Sequence, residues 1–347
     1  MSPTAANTAR TPCNASPPMR KGWDAFEHTL SATGPHGARA VYPDELVAIA
    51  DYKKAGRMAA CGGADPIGTC LAYAQDSLVY GEGGKIIPVS EQIYAATPRA
   101  NRVNVFGRAY RPDATLWLHR TLADIVVGAA IHLHQTQAWR TIIYDGLRTV
   151  EGAFKLYNFA TDDDLAAGLL ALPGKSAHNK GLAVDSMMED ADGREVEMGG
   201  HFDHLDMKTN MRFYDGDKIS PLAKKNRLIR EAAFLHSALT QGLLIAPLRS
   251  EFWDDRPPED RSDLWRVLDS AARVIGITLE RKKEWDGWSY ADFQQHWQEI
   301  FRGREAELEE KIGVTSPPAE EKFEFYHGNY HPIYDRDLRE CGKHLTD

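Results

Sequence analysis

His178 and Asp185, seven positions apart in the stretch Lys175–Asp185, are the residue types and spacing here best suited to holding a divalent metal ion. Asn179-Lys180-Gly181 makes a flexible turn, and Leu182–Val184 is a short apolar run. The expected arrangement is a turn that folds the imidazole back over a strand ending in the carboxylate, so that both groups meet one ion. The same residues also suit a polar hairpin loop with a solvated histidine and a capping aspartate. Two ligands do not make a site, and spacing alone leaves the two readings balanced.

A hydrolytic metal centre needs more: a third ligand, a carboxylate base and a cation facing the developing oxyanion. Glu251 and Arg148 are candidates for the last two. Arg148 follows Asp145-Gly146 just past an apolar strand, Thr141–Tyr144, a place from which a side chain enters a cleft. Taken alone, a surface arginine in a salt bridge is the favoured reading of Arg148.

The elements that must position these groups are legible in part. Leu118, Leu122, Ile125, Val126, Ala129 and Leu133 form one apolar stripe and predict a helix over 114–135. A second helix is predicted over 221–241, with Leu228, Ala232, Leu235 and Leu239 inward and Gly242 ending it. Asp44–Lys54 and Val150–Phe159 also read as helical. Lys85–Val89 and Val103–Phe106 read as strands, and Val196–Asp203 as a turn closing onto the Asp185 strand. Beyond Pro257-Pro258 the chain alternates charge with aromatics at helical spacing, Trp265, Trp285, Trp288 and Trp297 being available for packing. Pro317-Pro318 interrupts this stretch. Single apolar stripes on two long helices suit packing on one face of a sheet, so the expected fold is α+β with a central antiparallel sheet and flanking helices.

Length and composition bound the rest. A chain of 347 residues with 43% hydrophobic and 26% charged residues is that of a globular protein with a sizeable core. The net charge of −9 argues against general nucleic-acid binding. No run approaches the roughly 20 apolar residues that span a bilayer. Residues 1–20 read as a disordered tail without a signal-peptide core, so the chain reads as cytoplasmic as written, and a periplasmic protein with its leader removed would read the same. Cys13, Cys61, Cys70 and Cys341 form no CxxC motif. Cys61 and Cys70 bracket a Gly-rich loop and would pair in an oxidising compartment, although free buried thiols are the plainer reading.

Several motifs occur together in one order. They are Ser176–Asp185 as SxHxxGxAxD, Tyr144–Arg148 as YDGxR, Met198–Asp203 as MGxxFD, and the ExxH-like Glu251–Asp254, with Asn104–Arg108 ahead of them. This pattern resembles the zinc D-Ala-D-Ala metallopeptidases, and within them the VanX-like D-alanyl-D-alanine dipeptidases, over about residues 86–256. The resemblance implies a hedgehog-like α+β domain with additions: the tail, an accessory segment over 21–85 and a helical extension over 257–347. It implies one Zn²⁺ held by His178, Asp185 and Asp254, with Glu251 as base and Arg148 steadying the tetrahedral intermediate. Ser176 and Asp203 would border the substrate, a small D-alanine-containing peptide.

The third ligand departs from the family pattern, which has a histidine where this chain has Asp254. A carboxylate still binds zinc, but a second one makes the bound water less acidic and makes the site more tolerant of other divalent ions. If Asp254 merely caps a turn, His201, His236, His327 or His331 would have to supply the ligand. The implied activity is a zinc peptidase of the D-Ala-D-Ala dipeptidase type. The terminal additions would also suit an L,D- or D,D-carboxypeptidase or endopeptidase acting on peptidoglycan stem peptides. A chain without the metal would be a non-catalytic binder of cell-wall peptides.

Overall fold

The structure, a computed structural model, describes residues 45–49, 61, 64–69, 78–80, 86–88, 115–159, 171–200, 219–248, 251–258, 263–280, 285, 287–320 and 330–340. The expected strand over 103–106 lies outside them. In chain order the strands are β1 (Leu46–Ala48), β2 (Ile67–Thr69), β3 (Leu78–Tyr80), β4 (Ile86–Pro88), β5 (Trp117–His119), β6 (Arg140–Asp145), β7 (Val184–Glu189), β8 (Ala246–Leu248) and β9 (Glu251–Arg256). The helices are α1 (Arg120–Gln137), α2 (Val150–Phe159), α3 (Pro221–Thr240), α4 (Leu264–Val274), α5 (Tyr290–Phe301), α6 (Glu305–Ile312) and α7 (Asp335–Glu340).

Five strands form the central sheet in the order β2-β6-β7-β9-β8. Its β6-β7, β7-β9 and β9-β8 pairs are antiparallel, but β2 runs parallel to β6. The sheet is therefore mixed rather than wholly antiparallel. The connection from β2 to β6 is long and includes α1, which leaves room for the crossover that a parallel pair requires. The remaining described strands form two separate antiparallel pairs, β1-β5 and β3-β4.

The β1-β5 pair corrects two helix boundaries. Leu118 belongs to the apolar stripe of the first helix by period, yet it lies opposite Val47 in a strand pair. α1 accordingly starts at Arg120, where the His119 Nδ1 accepts the Thr121 N–H at 3.3 Å. Residues 46–48 are strand where a helix over 44–54 was expected, because backbone pairing with β5 outweighs a weak local helical preference.

α1 and α3 pack against each other beside the sheet. The Ser237 hydroxyl donates to the Ile125 carbonyl at 2.7 Å, and a Cβ added at Gly128 would stand 2.3 Å from that hydroxyl oxygen. Only glycine lets the two helices approach this closely. Leu122, Ile125, Val126, Ala129 and Leu133 are buried in a core with Ile142, Ile143, Val184, Met187 and Met188. Each of the larger side chains here contributes about 1.5–3 kcal/mol by leaving water.

α3 is buried on two sides, which the sequence pattern did not show. Phe234 and Ala238 enter the sheet core, while Leu235 and Leu239 enter a second core built by α4, α5 and α6 with Trp265, Trp285, Trp288 and Trp297. Leu228 and Ala232, expected inward, are only partly buried, and Arg227, Arg230 and Glu231 are buried instead. Each has a partner: Arg227 donates to the Met198 carbonyl, Arg230 pairs with Asp255, and Glu231 accepts from Ser270. Buried charge is tolerable only when paired in this way.

Candidate metal centre

Strand register builds the site. Asp145 on β6 lies opposite Asp185 on β7, and Asp185 lies opposite Asp254 on β9, so three aspartates form a row across adjacent strands. The row depends on an irregularity. Ile143 pairs with Ser186 and Asp145 with Asp185, so β6 carries one extra residue, Tyr144, between the two pairs. Without that bulge, alternation would send Asp145 to the same face as Ile143, into the core.

His178 reaches the row from a 3-10 turn, Ala177–Lys180. The Ser176 hydroxyl caps it by accepting the His178 N–H at 3.2 Å, and Gly181 ends it at φ +67°. Gly181 also meets the His119 N–H through its carbonyl at 2.9 Å, and an added Cβ there would crowd Leu46. The turn is tied to the end of β6, since Arg148 N–H donates to the His178 carbonyl at 3.0 Å. Asn179, fully buried, donates to the Arg148 carbonyl at 2.7 Å and accepts from Gly174 N–H at 2.8 Å.

The imidazole is held with its two nitrogens facing different partners. Nδ1 lies 2.8 Å from the Gly146 carbonyl and 3.8 Å from Asp145 Oδ2. A carbonyl can only accept, so in the neutral ring Nδ1 carries the proton and Nε2 the lone pair. Nε2 lies 3.6 Å from Asp185 Oδ2 and 3.7 Å from Asp254 Oδ2. Donors about 2.0–2.1 Å from a tetrahedral ion stand roughly 3.3–3.4 Å apart, so Nε2 is near ligating separation from each of these two oxygens taken singly. His178, Asp145 and Asp185 also make a group of three whose ligand atoms lie within 4.8 Å of one another, all buried, and this group could hold a metal ion.

Two guanidinium groups balance the carboxylates. Arg148 pairs with Asp145, its Nε 3.0 Å from Oδ2, and Arg256 pairs with Asp254, its Nε 3.2 Å from Oδ1. Burial alone would raise the Asp254 carboxyl, but Arg256 and His178 beside it hold it below the ordinary aspartate range. Asp255, one residue on, faces the other side. It pairs with Arg230, which also donates to Ser186 at 2.9 Å, and burial pushes it up to about 7.

The residues expected from sequence are thus distributed unequally. His178, Asp185, Asp254 and Arg148 converge, and Ser176 caps their turn. Glu251 opens β9 opposite Leu248, and its side chain lies outside the described residues, as do Asp203, His201 and His327. His236 stacks on His132 at 4.8 Å between α1 and α3. Cys61 is a free, buried thiol, and Cys70 is outside the described residues. Asp145, Asn179 and Arg256 were not anticipated. The Asp145-Gly146 pair was read only as a turn, although an aspartate beside the family-like arginine was the available signal.

The chain is similar in sequence to the D-alanyl-D-alanine dipeptidase of Escherichia coli (strain K12). The two are 24% identical over 159 residues, which is 46% of this chain and 76% of that protein. No family model matches the chain. The similarity is that of a distant relative of the dipeptidase family and supports a peptidase at the level of broad class. No helix among the described residues is long and apolar enough to cross a membrane.

Proposed function

We propose that this chain is a zinc-dependent peptidase acting on small D-alanine-containing peptides of the bacterial cell wall. The observation that supports the reading is the Asp185–Asp254 register with His178 Nε2 3.6 Å and 3.7 Å from their Oδ2 atoms. His178, Asp185 and Asp254 are the ligands in this reading, because Asp145 lies on the protonated Nδ1 side of the ring. Asp145 and the Gly146 carbonyl then orient the imidazole from behind, as outer partners of ligating histidines do.

A bound divalent ion supplies Lewis acidity to the scissile carbonyl and to water. Glu251 takes a proton from the attacking water as the new C–O bond forms, and returns it to the leaving amine as the C–N bond breaks. Arg148, steadied by Asp145, faces the charge that develops on the carbonyl oxygen. Ser176 and Asp203 border the substrate. Arg256 offsets the negative charge that an aspartate adds where a histidine would be neutral, so the departure at Asp254 comes with its own counter-charge on the same face of β9.

The decisive experiment is a zinc titration of the purified chain, followed by incubation with D-Ala-D-Ala and with tri-, tetra- and pentapeptide stems resolved by mass. One zinc per chain and release of D-alanine are expected. Glu251→Gln should keep the zinc and lose nearly all hydrolysis. Stem peptides cleaved in preference to the dipeptide would assign a carboxypeptidase or endopeptidase instead. The Asp254–Arg256 pair favours one other reading, a non-catalytic peptide binder in which the guanidinium replaces the ion. A chain that binds stem peptides but takes up no zinc would establish it.

A further inference from the structure

We propose that residues 330–335 form a strap that positions the His178 turn, so that a segment far along the chain completes the metal centre. This rests on the reading of His178 as a ligand and adds to it the element that holds His178 in place. A 3-10 turn of four residues has little stability of its own. A ligating side chain nevertheless has to be held to within about 0.5 Å of its working position. The restraint must come from outside the turn.

The strap supplies it through backbone contacts on both sides of Ile333. The Ile333 N–H donates to the Asn179 carbonyl at 2.7 Å, and the Ile333 carbonyl accepts the Val150 N–H at 3.0 Å. Asn179 is the residue after His178, and its side chain is bound to the Arg148 carbonyl. Val150 begins α2, two residues after Arg148, and its N–H is one that a helix start leaves unsatisfied. Ile333 therefore bridges the turn carrying the imidazole and the strand end carrying Asp145 and Arg148. Both ends of the strap are anchored. The Tyr330 ring meets the edge of His119 with centroids 5.5 Å apart, and the His119 N–H holds the Gly181 carbonyl that closes the turn. The Asp335 N–H donates to Glu151 Oε2 at 2.9 Å, and Tyr330, Ile333 and Leu338 are buried in the sheet core.

Two substitutions separate positioning from packing. Ile333→Pro removes the N–H given to Asn179 but keeps the carbonyl that accepts from Val150. Ile333→Ala keeps both backbone groups and trims the apolar side chain. Zinc affinity is measured on the full chain by competition with a chromophoric chelator, well below each variant's melting temperature. Ile333→Pro should bind zinc about 10–100-fold more weakly than wild type, the loss typical of a removed outer partner. Ile333→Ala should melt earlier yet bind zinc within a few-fold of wild type. Equal weakening in both variants, or none in Ile333→Pro, overturns the strap. A wild-type chain that takes up no zinc overturns the metal reading, and this inference with it.

A measurement on wild type alone decides the matter should Ile333→Pro fail to fold. Coupling between two sites is reciprocal, so zinc must tighten the strap if the strap tightens zinc. Amide exchange in peptides covering 330–340 should slow on zinc loading by more than in peptides from α5 and α6. Equal slowing in the two regions also overturns the proposal.

Discussion

Asp254 and Asp255 are neighbours on one strand, both buried and both paired with an arginine, yet they sit in different electrostatic worlds. Asp254 faces His178 and Arg256, and these hold its carboxyl ionised. Asp255 faces α3, where burial outweighs Arg230 and pushes its carboxyl up to about 7. The alternation of a β-strand makes the difference, one residue apart. It shows that burial and an arginine partner do not by themselves mark a ligand. What singles out Asp254 as the proposed ligand is a second group of metal-binding type, His178 Nε2, 3.7 Å from its Oδ2.

Truncating each aspartate should separate the two roles most strongly. Asp255→Ala leaves Arg230 buried without its counter-ion and should lower stability by about 3–5 kcal/mol in urea denaturation, with zinc affinity kept by the folded fraction. Asp254→Ala should keep the fold and weaken zinc by more than about 100-fold, beyond the loss expected for an outer partner. If the zinc loss follows Asp255 instead, the assignment of the two faces is wrong.

Asp145→Asn sharpens the comparison along the row of aspartates. On the Nδ1 side it should cost about 10–100-fold in zinc affinity by loosening the imidazole and Arg148. A loss as large as that of Asp254→Ala would make Asp145 a ligand in its own right.

The two carboxyls should also carry opposite pH signatures. Asp254 has a depressed pKa, so its stabilising contribution is present above pH 3.8 and lost on further acidification. Asp255 is raised from 3.8 to about 7, so the native state binds the extra proton across that window and stability falls as pH rises through it. In melting curves without added metal, the difference between Asp255→Asn and wild type should shift in the variant's favour from pH 4 to 7. The difference for Asp254→Asn should be level over that range and change only below it. Parallel behaviour of the two variants would remove the distinction.

Ser237→Ala is the smallest effect and the control for distance. Loss of its bond to the Ile125 carbonyl should cost about 0.5–1.5 kcal/mol with zinc binding unchanged, as read by urea midpoint and chelator competition.

The legible features were those written locally. His178 and Asp185 share one turn and one strand, and the α1 and α3 stripes announce themselves by period. Asp145 was not legible as a site residue because a bulge at Tyr144 decides its face, and no residue pattern encodes that extra register step. Arg256 pairs with Asp254 two positions away, which matters only once both are known to be strand. Trp117–His119 kept to the helical period but was claimed by a strand 70 residues earlier. Arg227 and Arg230 are buried although the stripe named as inward was Leu228, Ala232, Leu235 and Leu239, because a one-sided amphipathic template cannot foresee a helix with neighbours on both sides.

That two-sided helix has a consequence for how the molecule comes apart. Phe234 and Leu235 are consecutive, yet one belongs to the sheet core and the other to the tryptophan-rich core. Melting α3 would strip a wall from both at once, so neither cluster can open alone without exposing the other. The α4–α6 helices are then not a detachable module, and denaturation should take both cores in a single cooperative step. A substitution deep among the tryptophans would be felt at the aspartate row as a change in how often the whole chain opens.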